Sequence, residues 1–130
     1  MILDTSFVID LLRKKENALK KLGELIKNGE SFKITTLTIF ELFTGLIRST
    51  KYEKEKDEIE NILKSQIIIS LNEESAKKAG EIDGKLILEG NQLEPIDIMI
   101  GAIALQNKEK VLTKNIHDFS RIRNLEIESY

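Results

Sequence analysis

Short apolar runs alternate along the chain with longer amphipathic stretches. The runs, which predict β-strands, are bounded by polar residues or glycine. They lie at Met1–Leu3, Phe32–Thr36, Ile67–Ile69, Lys110–Thr113 and Leu125–Glu128. The stretches between them carry apolar residues three or four positions apart, which predicts α-helices. Strands that alternate with helices predict an α/β fold with a central, mainly parallel β-sheet flanked by α-helices.

The predicted helices differ in character. The helix that begins at Thr38 is apolar on almost every side as far as Ile47, which predicts a position in the interior. Lys51–Lys64 is dense in charge and predicts a surface helix, whereas Pro95 suits the first turn of an apolar helix over 96–105. The remaining helices are predicted within Phe7–Leu12, Leu19–Ile26, where Gly29 follows as the terminator, and Glu73–Glu89.

The composition is that of a folded globular protein, with 41% hydrophobic and 32% charged residues. No linker or repeat divides residues 1–130, so we expect a single domain. The chain has no cysteine, which excludes disulfides and thiolate zinc sites and suits a reducing compartment. Because no apolar run is long enough to cross a bilayer and the N-terminus lacks the pattern of a signal peptide, we expect a cytoplasmic protein without membrane contact. The net charge of −2 leaves binding to nucleic acid open.

Two acidic residues stand where a charge is costly. Glu41 is the only charged residue between Leu37 and Ile47, and a buried carboxylate needs a partner or a shifted pKa. A structural ion pair or an exposed helix edge would also account for it. Asp97 is the only charged residue in the apolar helix after Pro95. A first-turn acid that interacts with the helix dipole is the alternative there.

Two further acids follow predicted strands. Asp4 comes directly after the first strand, where it could also be a helix N-cap, and Asp118 follows the fourth, where it could be a loop or cap acid. In an open α/β sheet, ligands bind at the carboxyl ends of the strands, where these two positions and those of Glu41 and Asp97 converge. Carboxylates that lie together without cations repel one another unless a metal ion lies among them. Oxygen ligands alone suit Mg²⁺ or Mn²⁺, which favour phosphate chemistry.

The four acids stand in motifs whose order and spacing resemble those of the PIN domain family. The motifs are Asp4-Thr-Ser, Thr-Ile-Phe-Glu41-Leu-Phe-Thr-Gly, Asp97-Ile-Met-Ile-Gly-Ala and Leu-Thr-Lys-Asn115-Ile-His-Asp118-Phe. The most similar subgroup is the VapC-like toxins. The resemblance covers nearly the whole chain, and its weight comes from the four motifs occurring in order.

The resemblance implies an endoribonuclease with a PIN-like fold and a pocket that holds Mg²⁺ or Mn²⁺. Asp4 and Asp97 would be the direct metal ligands, Glu41 would bind metal or orient the attacking water, and Asp118 would complete the pocket, partly through water. The polar residues expected to line the pocket are Thr5, Ser6, Thr113 and Asn115. The family varies the acid of its last motif, and because Asn115 cannot ionise, Asp118 takes that role here.

The same resemblance implies three partners: an RNA substrate, a second copy of the chain in a homodimer, and a cognate antitoxin whose tail fills the active-site groove. The surfaces that we expect the antitoxin to contact are the charged helix Lys51–Lys64 and the exposed parts of the first two helices. Ordinary solvated helices would have the same composition.

Other polar residues are predicted to lie outside the chemistry. His117, the only histidine, is expected at the surface, and Asp10 and Asp83 are expected to be solvated on helices. Glu94 could reach the pocket rim. The basic residues available to contact RNA phosphates are Lys14, Lys15, Lys85, Lys114, Arg121 and Arg123.

Three other functions are compatible with parts of the pattern. One is a nuclease of RNA maturation, although the short chain without an additional RNA-binding domain favours a toxin. Another is a catalytically silent PIN module that works with a DNA-binding partner, against which the four intact acids argue. The third is a phosphotransfer enzyme with Asp4 as nucleophile. That chemistry usually has a second acid close by, whereas Thr5 and Ser6 follow here.

Overall fold

The computed structural model describes every residue from Met1 to Tyr130. Five strands and seven helices follow one another along the chain. They are β1 (Ile2–Leu3), α1 (Thr5–Leu12), α2 (Glu16–Lys27), β2 (Lys33–Thr35), α3 (Thr36–Leu46), α4 (Tyr52–Lys64), β3 (Ile67–Ile69), α5 (Glu73–Leu88), α6 (Pro95–Gln106), β4 (Val111–Leu112), α7 (Ile116–Phe119) and β5 (Ile127–Glu128). All five predicted strands are present, each within the predicted range.

The strands form one sheet in the order β3-β2-β1-β4-β5, and every neighbouring pair is parallel. The central strand is β1, in which Ile2 pairs with Lys33 on one side and Val111 on the other. Because all strands run in one direction, their carboxyl ends meet at the same edge of the sheet. Asp4 follows β1 at this edge, and Thr113 follows β4. The predicted parallel sheet flanked by helices is confirmed.

Apolar side chains cover the two faces of the sheet in separate clusters. Ile2 and Val111 belong to the cluster formed with α5, α6 and α7, whereas Leu3 and Leu112 belong to the cluster formed with α1, α2, α3 and α4. This division follows from the alternation of side chains along a strand. Each large side chain buried in this way contributes roughly 1.5–3 kcal/mol to stability. The two apolar clusters hold the starts of α1, α3 and α6 at the carboxyl edge of the sheet.

Helix α3 differs from its prediction in two respects. It begins at Thr36, two residues before the predicted start, because the Thr35 side chain caps it by accepting a hydrogen bond from the Thr38 amide at 3.2 Å. The predicted interior position is wrong for its outer face, where Phe40 is 60% exposed and Ile47 is 75% exposed. An apolar face alone does not bury a helix, since a neighbouring element must cover it.

Two further features concern the connections. Gly29 adopts a φ of 73°, the left-handed conformation that commonly follows the end of a helix, and so ends α2 as predicted. The single turn α7 is not predicted by the hydrophobic pattern, because four residues are too few to show a helical period. None of the helices is both long and apolar enough to span a lipid bilayer.

Candidate metal-binding and nuclease site

Asp4 occupies the end of the central strand. Asp4 is 5% exposed and occupies the N-cap position of α1, as the alternative predicted, but its side chain makes no capping hydrogen bond to the helix. Instead, its Oδ2 accepts hydrogen bonds from the Ser6 and Thr113 hydroxyls, both at 2.7 Å. The Asp4 amide continues the sheet by donating to the Leu112 carbonyl at 3.0 Å. Two hydroxyls and the main chain of the sheet therefore fix the position of this carboxylate.

Glu41 reaches the same region from α3. Its carboxylate accepts a hydrogen bond from the Thr5 hydroxyl, which also lies 3.1 Å from the Thr38 hydroxyl. Burial raises the pKa of Glu41, the hydrogen bond from Thr5 lowers it, and the neighbouring charge of Asp4 raises it. No cation contributes to this balance, so the ion-pair alternative for Glu41 is not found.

Asp97 is the acid of the pocket whose pKa is shifted most. It lies in the first turn of α6, as predicted. Burial, followed by the charges of Asp4, Glu41, Asp118 and Glu94, raises its pKa to about 7. An acid that was there only to interact with the helix dipole would have a stabilised charge rather than a destabilised one. The helix-end alternative is therefore insufficient.

Asn115 joins the last two acids of the pocket. Its Nδ2 donates to Asp118 Oδ2 at 2.9 Å and lies 3.5 Å from Asp97 Oδ2. The other side of Asp118 faces Arg121, whose guanidinium lies 3.6 Å from Asp118 Oδ1 and also donates to the Gln92 carbonyl at 3.2 Å. Asp118 is thus held from two directions by neutral and cationic donors.

The structure brings all eight predicted site residues together at the carboxyl edge of the sheet. The four acids come from the end of β1, from α3, from α6 and from α7. Among the pocket-lining residues, Thr113 has a central position, because its hydroxyl donates to Asp4 and accepts the Asn115 amide at 2.9 Å. Glu94 lies close enough to act on the pKa of Asp97, which agrees with its expected place at the rim.

The donor set suits a hard divalent cation, although the side chains do not form a finished coordination shell. No three acidic or histidine side chains are close enough together to hold a metal ion as they stand. The acids around Asp97 nevertheless offer carboxylate oxygens as ligands, which Mg²⁺ and Mn²⁺ prefer. Burial and the repulsion of the neighbouring acids together raise the pKa of Asp97, and a bound cation would relieve this cost of holding the charge.

The structure contradicts the prediction for Asp10, whose buried environment could not be seen in the sequence. It was expected to be solvated, but it is 4% exposed and bonded to Lys114 and Tyr130. Both partners are more than a hundred residues away in sequence, so no local pattern reveals them.

Thr38 is a second residue of the site that sequence reasoning missed. The signal that could have revealed it is its position one helical turn before Glu41, on the same face of α3. His117 is exposed, as predicted.

We expect Thr113→Val to damage both the stability and the activity of the site. The variant keeps the shape of the fully buried side chain but removes the hydroxyl, which leaves Asp4 short of one donor and the Asn115 amide without its acceptor. The free energy of unfolding should fall by about 1–3 kcal/mol. The RNA cleavage that the sequence motifs lead us to expect should fall about tenfold, as for a residue that orients a ligand. Chemical denaturation and a cleavage assay measure the two effects.

Thr44→Val is the matched control. Thr44 is exposed on α3, and its hydroxyl bonds only the Phe40 carbonyl at 2.9 Å, so both quantities should stay unchanged. A Thr113→Val protein with the stability and activity of the control would contradict the role given to the Thr113 hydroxyl.

The fold and the acidic pocket together define a class of α/β protein with a carboxylate site at the carboxyl edge of a parallel sheet. The family model described as "PIN domain" matches residues 1–125, and the chain belongs to this family. The prediction made from the four motifs is confirmed.

The curated relatives match over nearly their whole length. The chain is 25% identical to "Ribonuclease VapC2" of Rickettsia felis and 26% identical to "tRNA(fMet)-specific endonuclease VapC" of Salmonella typhimurium. Each alignment covers 99% of this chain and 96% of the relative. Among solved structures, the crystal structure of VapBC2 from Rickettsia felis, bound to a DNA fragment from its promoter, superposes with a TM-score of 0.89. That match is 25% identical and covers 99% of this chain and 97% of the other.

Proposed function

We propose that this protein is a Mg²⁺- or Mn²⁺-dependent endoribonuclease that acts as the toxin of a toxin–antitoxin pair. The observation that carries the proposal is the position of Asp97, where burial and the charges of four neighbouring carboxylates raise its pKa to about 7. Such a group destabilises the protein unless it binds a cation. Membership of the PIN domain family and the similarity to VapC ribonucleases support RNA as the substrate.

Each residue of the pocket has a defined task in this proposal. Asp4 and Asp97 would hold the metal ion, which would supply Lewis-acid stabilisation of the charge that develops on the phosphodiester. Glu41, held by Thr5, orients the attacking water and can accept its proton, since its pKa is raised. Asp118 closes the pocket, and Asn115 keeps it near Asp97.

The decisive experiment is cleavage of an RNA pool that contains total tRNA. The purified protein should cleave in Mg²⁺ or Mn²⁺ and not in chelator, and Asp4→Asn should abolish cleavage while leaving the fold intact. The matched control is Asp57→Asn, which removes an exposed acid of α4 and should keep full activity. If Asp4→Asn still cleaves, or if cleavage persists in chelator, the proposed site is wrong. If nothing is cleaved, a silent PIN module becomes the better description.

We also propose that an antitoxin segment occupies a groove beside the pocket. The groove has a volume of about 200 Å³, lies between α1, α3 and α4, and contains Glu41 in its wall. Its other lining residues include Ile9 and Leu12 of α1, Leu42 of α3 and Ile59 of α4. A segment bound there would reach a residue of the site, which supports inhibition by direct blocking. The charged helix α4 contributes one wall, in agreement with the surface expected from the sequence.

Filling this groove should prevent capture of the antitoxin. Gly45 lies in its wall on an exposed part of α3, and a Cβ atom added there meets no atom within 4 Å, so we expect Gly45→Trp to fold and to place its ring in the groove. When the variant is co-expressed with the product of the neighbouring antitoxin gene, the two proteins should no longer purify together. The control is Gly84→Trp, which is equally unobstructed on α5 and should leave the complex intact. Retention of the complex by Gly45→Trp would place the antitoxin elsewhere.

The outer face of α3 supports a homodimer. Phe40 and Ile47 are two helical turns apart on this face and largely exposed, which is costly unless another surface covers them. We expect the protein to have the mass of a dimer by light scattering, and the double variant Phe40→Ser, Ile47→Ser to have that of a monomer. Leu19→Ser removes a comparably exposed apolar residue from α2 and should leave the dimer intact. A double variant that remains dimeric would contradict this interface.

A further inference from the structure

Beside the acidic pocket lies a second polar cluster that the proposed reaction does not use. Its centre is Asp10 of α1, whose carboxylate is buried although it belongs to neither apolar cluster. Asp10 Oδ2 accepts hydrogen bonds from Lys114 Nζ and from the Tyr130 hydroxyl, both at 3.0 Å. The Tyr130 ring packs edge-on against Phe7, with ring centres 4.7 Å apart. Residues from three distant parts of the chain therefore meet at one carboxylate.

Stability alone explains this cluster poorly. The second oxygen, Asp10 Oδ1, is buried without any hydrogen-bond partner, and such an atom is a net cost to the fold. An apolar side chain at position 10 would avoid this cost, as replacements of buried ion pairs in other proteins do. Burial opposes ionisation of Asp10, but the hydrogen bonds from Lys114 and Tyr130 outweigh it and lower the pKa of the carboxyl. Asp10 is therefore a fixed negative charge.

The position of Lys114 indicates the role of the negative charge on Asp10. Lys114 lies between Thr113, which bonds Asp4, and Asn115, which bonds Asp118. Its neighbours on both sides thus point into the pocket, while its own side chain turns to Asp10 along the pocket flank. The Lys114 side chain remains 54% exposed, so ammonium donors that do not contact Asp10 face the solvent.

Arg121, a second cation at the pocket, is less available than Lys114. The Arg121 guanidinium bonds the Gln92 carbonyl at 3.2 Å, lies 2.8 Å from the His117 ring, and pairs with Asp118 at 3.6 Å. Its side chain is 24% exposed. Of these two cations, Lys114 is the one whose donors remain open to a ligand. A polyanion that approaches a chain of net charge −2 and a pocket of four carboxylates needs such a contact.

We propose that Asp10 and Tyr130 position Lys114 to bind a phosphate of single-stranded RNA next to the bond that is cleaved. The inference rests on the proposed function and specifies how that site takes hold of its substrate. Lys114 is the binding residue, and Asp10 and Tyr130 are positioning residues that act through it. Tethering the long lysine side chain in advance reduces the entropy lost when the phosphate binds.

The test measures RNA binding separately from cleavage. Every variant carries Asp97→Asn, which removes cleavage under the proposed function, and binds a fluorescein-labelled single-stranded RNA 12-mer of mixed sequence. Fluorescence anisotropy is followed from 50 to 200 mM KCl. Because one lost phosphate contact lowers the slope of log K against log salt by about 0.7 for a single strand, Lys114→Gln should reduce the slope by this amount and Lys114→Arg should restore it.

Lys110→Gln is the matched control, since Lys110 lies four residues away at the opposite end of β4 and its ammonium group pairs with Glu126, at 3.8 Å. It removes the same charge and should leave the slope unchanged. A Lys114→Gln slope that equals that of the parent, or a Lys110→Gln slope that falls as far, overturns the inference.

Asp10→Asn distinguishes the tether from simple electrostatics, because the two predict opposite changes in RNA affinity. Asp10→Asn removes a negative charge, so simple electrostatics would tighten RNA binding, whereas loss of the tether should weaken it about threefold. Tyr130→Phe leaves the net charge and the ring on Phe7 unchanged and should weaken binding in the same direction. When Lys114→Gln is already present, Tyr130→Phe should have no effect and Asp10→Asn should no longer weaken binding, because the tether acts through Lys114.

Melting temperatures separate this role from a structural one. Tyr130→Phe with an unchanged melting temperature and weakened binding supports the proposal, even if Asp10→Asn proves too unstable to use. Tighter binding by a folded Asp10→Asn variant, or additive effects with Lys114→Gln, overturns it. The unmodified protein is assayed for cleavage in parallel. A salt slope that depends on Lys114, without any cleavage, supports the phosphate contact but contradicts the proposed reaction. Cleavage without a Lys114-dependent slope supports the proposed reaction but contradicts the phosphate contact.

Discussion

Asp97→Asn is expected to abolish RNA cleavage and, in chelator, to make the protein more stable than the unmodified chain. The activity loss follows from removal of a proposed metal ligand and should exceed about 100-fold. The gain in stability follows from the raised pKa of Asp97, which burial and four neighbouring acids bring to about 7. At and above neutral pH, the folded, metal-free protein carries a negative charge on Asp97 that burial and the neighbouring acids make unfavourable. Asparagine has no charge and can still accept the hydrogen bond from Asn115.

The sign of the pH dependence follows from the direction of the shift. The folded protein holds the Asp97 proton up to a pKa of about 7, whereas the unfolded chain releases it near its ordinary value of about 4. Stability of the metal-free protein therefore falls as the pH rises between these values, and the advantage of Asp97→Asn grows over the same range. Because the carboxyl is partly solvated, we expect an advantage on the order of 1 kcal/mol, or roughly 4 °C in melting temperature.

Thermal melts from pH 4 to 8, in chelator and in Mg²⁺, measure this advantage. Mg²⁺ should raise the melting temperature of the unmodified protein and leave that of Asp97→Asn nearly unchanged. The exposed acid Asp57 supplies the comparison, since Asp57→Asn should alter neither the melts nor their response to Mg²⁺. An Asp97→Asn variant that is less stable than the unmodified chain at pH 7 in chelator would show that repulsion in the pocket is not the dominant effect.

Gly101→Ala is expected to lower the free energy of unfolding by about 1–3 kcal/mol, although alanine is the better helix former. Gly101 is buried in α6, and a Cβ atom there would lie 2.5 Å from Ile122 Cδ1 and 3.5 Å from Leu125 Cδ2. Ile122 is itself 2% exposed, so it has little room to move away. Because Asp97 is one turn earlier on the same helix, displacement of α6 should also reduce cleavage.

A double-mutant cycle identifies the clash. Ile122→Val removes the Cδ1 atom, so Gly101→Ala should cost much less in that background. Gly84→Ala, on α5, meets no atom within 4 Å and should stabilise the protein by about 0.5–1 kcal/mol. Urea denaturation of the four proteins of the cycle and of Gly84→Ala measures these values. Equal costs with isoleucine and valine at position 122 would rule out this contact as the cause.

The sheet could be predicted from the sequence because its strands are short buried runs that contrast with their surroundings. The run at Ile67–Ile69 is a strand with the predicted bounds, and the run at Phe32–Thr36 loses only its two end residues. The outer face of α3 could not be predicted, since Phe40 and Leu42 are equally apolar in sequence and differ only in what lies beside them. Burial of a helix face depends on the packing of other elements, which the local pattern does not contain.

The grouping of the acids could be predicted for a topological reason. Asp4 and Thr113 follow parallel strands, so the direction of the sheet alone places them at one edge. The hydrogen bonds among them could not be predicted, because they depend on the rotation of each side chain. The environment of Asp10 was missed for another reason: its partners Lys114 and Tyr130 reach it only through the complete tertiary structure.

The strand order also bears on how the protein is made. Asp4 and Glu41 lie in the first third of the chain, whereas Asp97 and Asp118 are added late, and β4 must insert beside the central β1 before Thr113 can bond Asp4. A polypeptide that is still attached to the ribosome before residue 97 therefore has two of the four acids, and it lacks Thr113, whose hydroxyl helps to fix Asp4. A ribonuclease of the proposed kind would thus remain inactive throughout most of its own translation, and the messenger that encodes it would be read before the enzyme could cut.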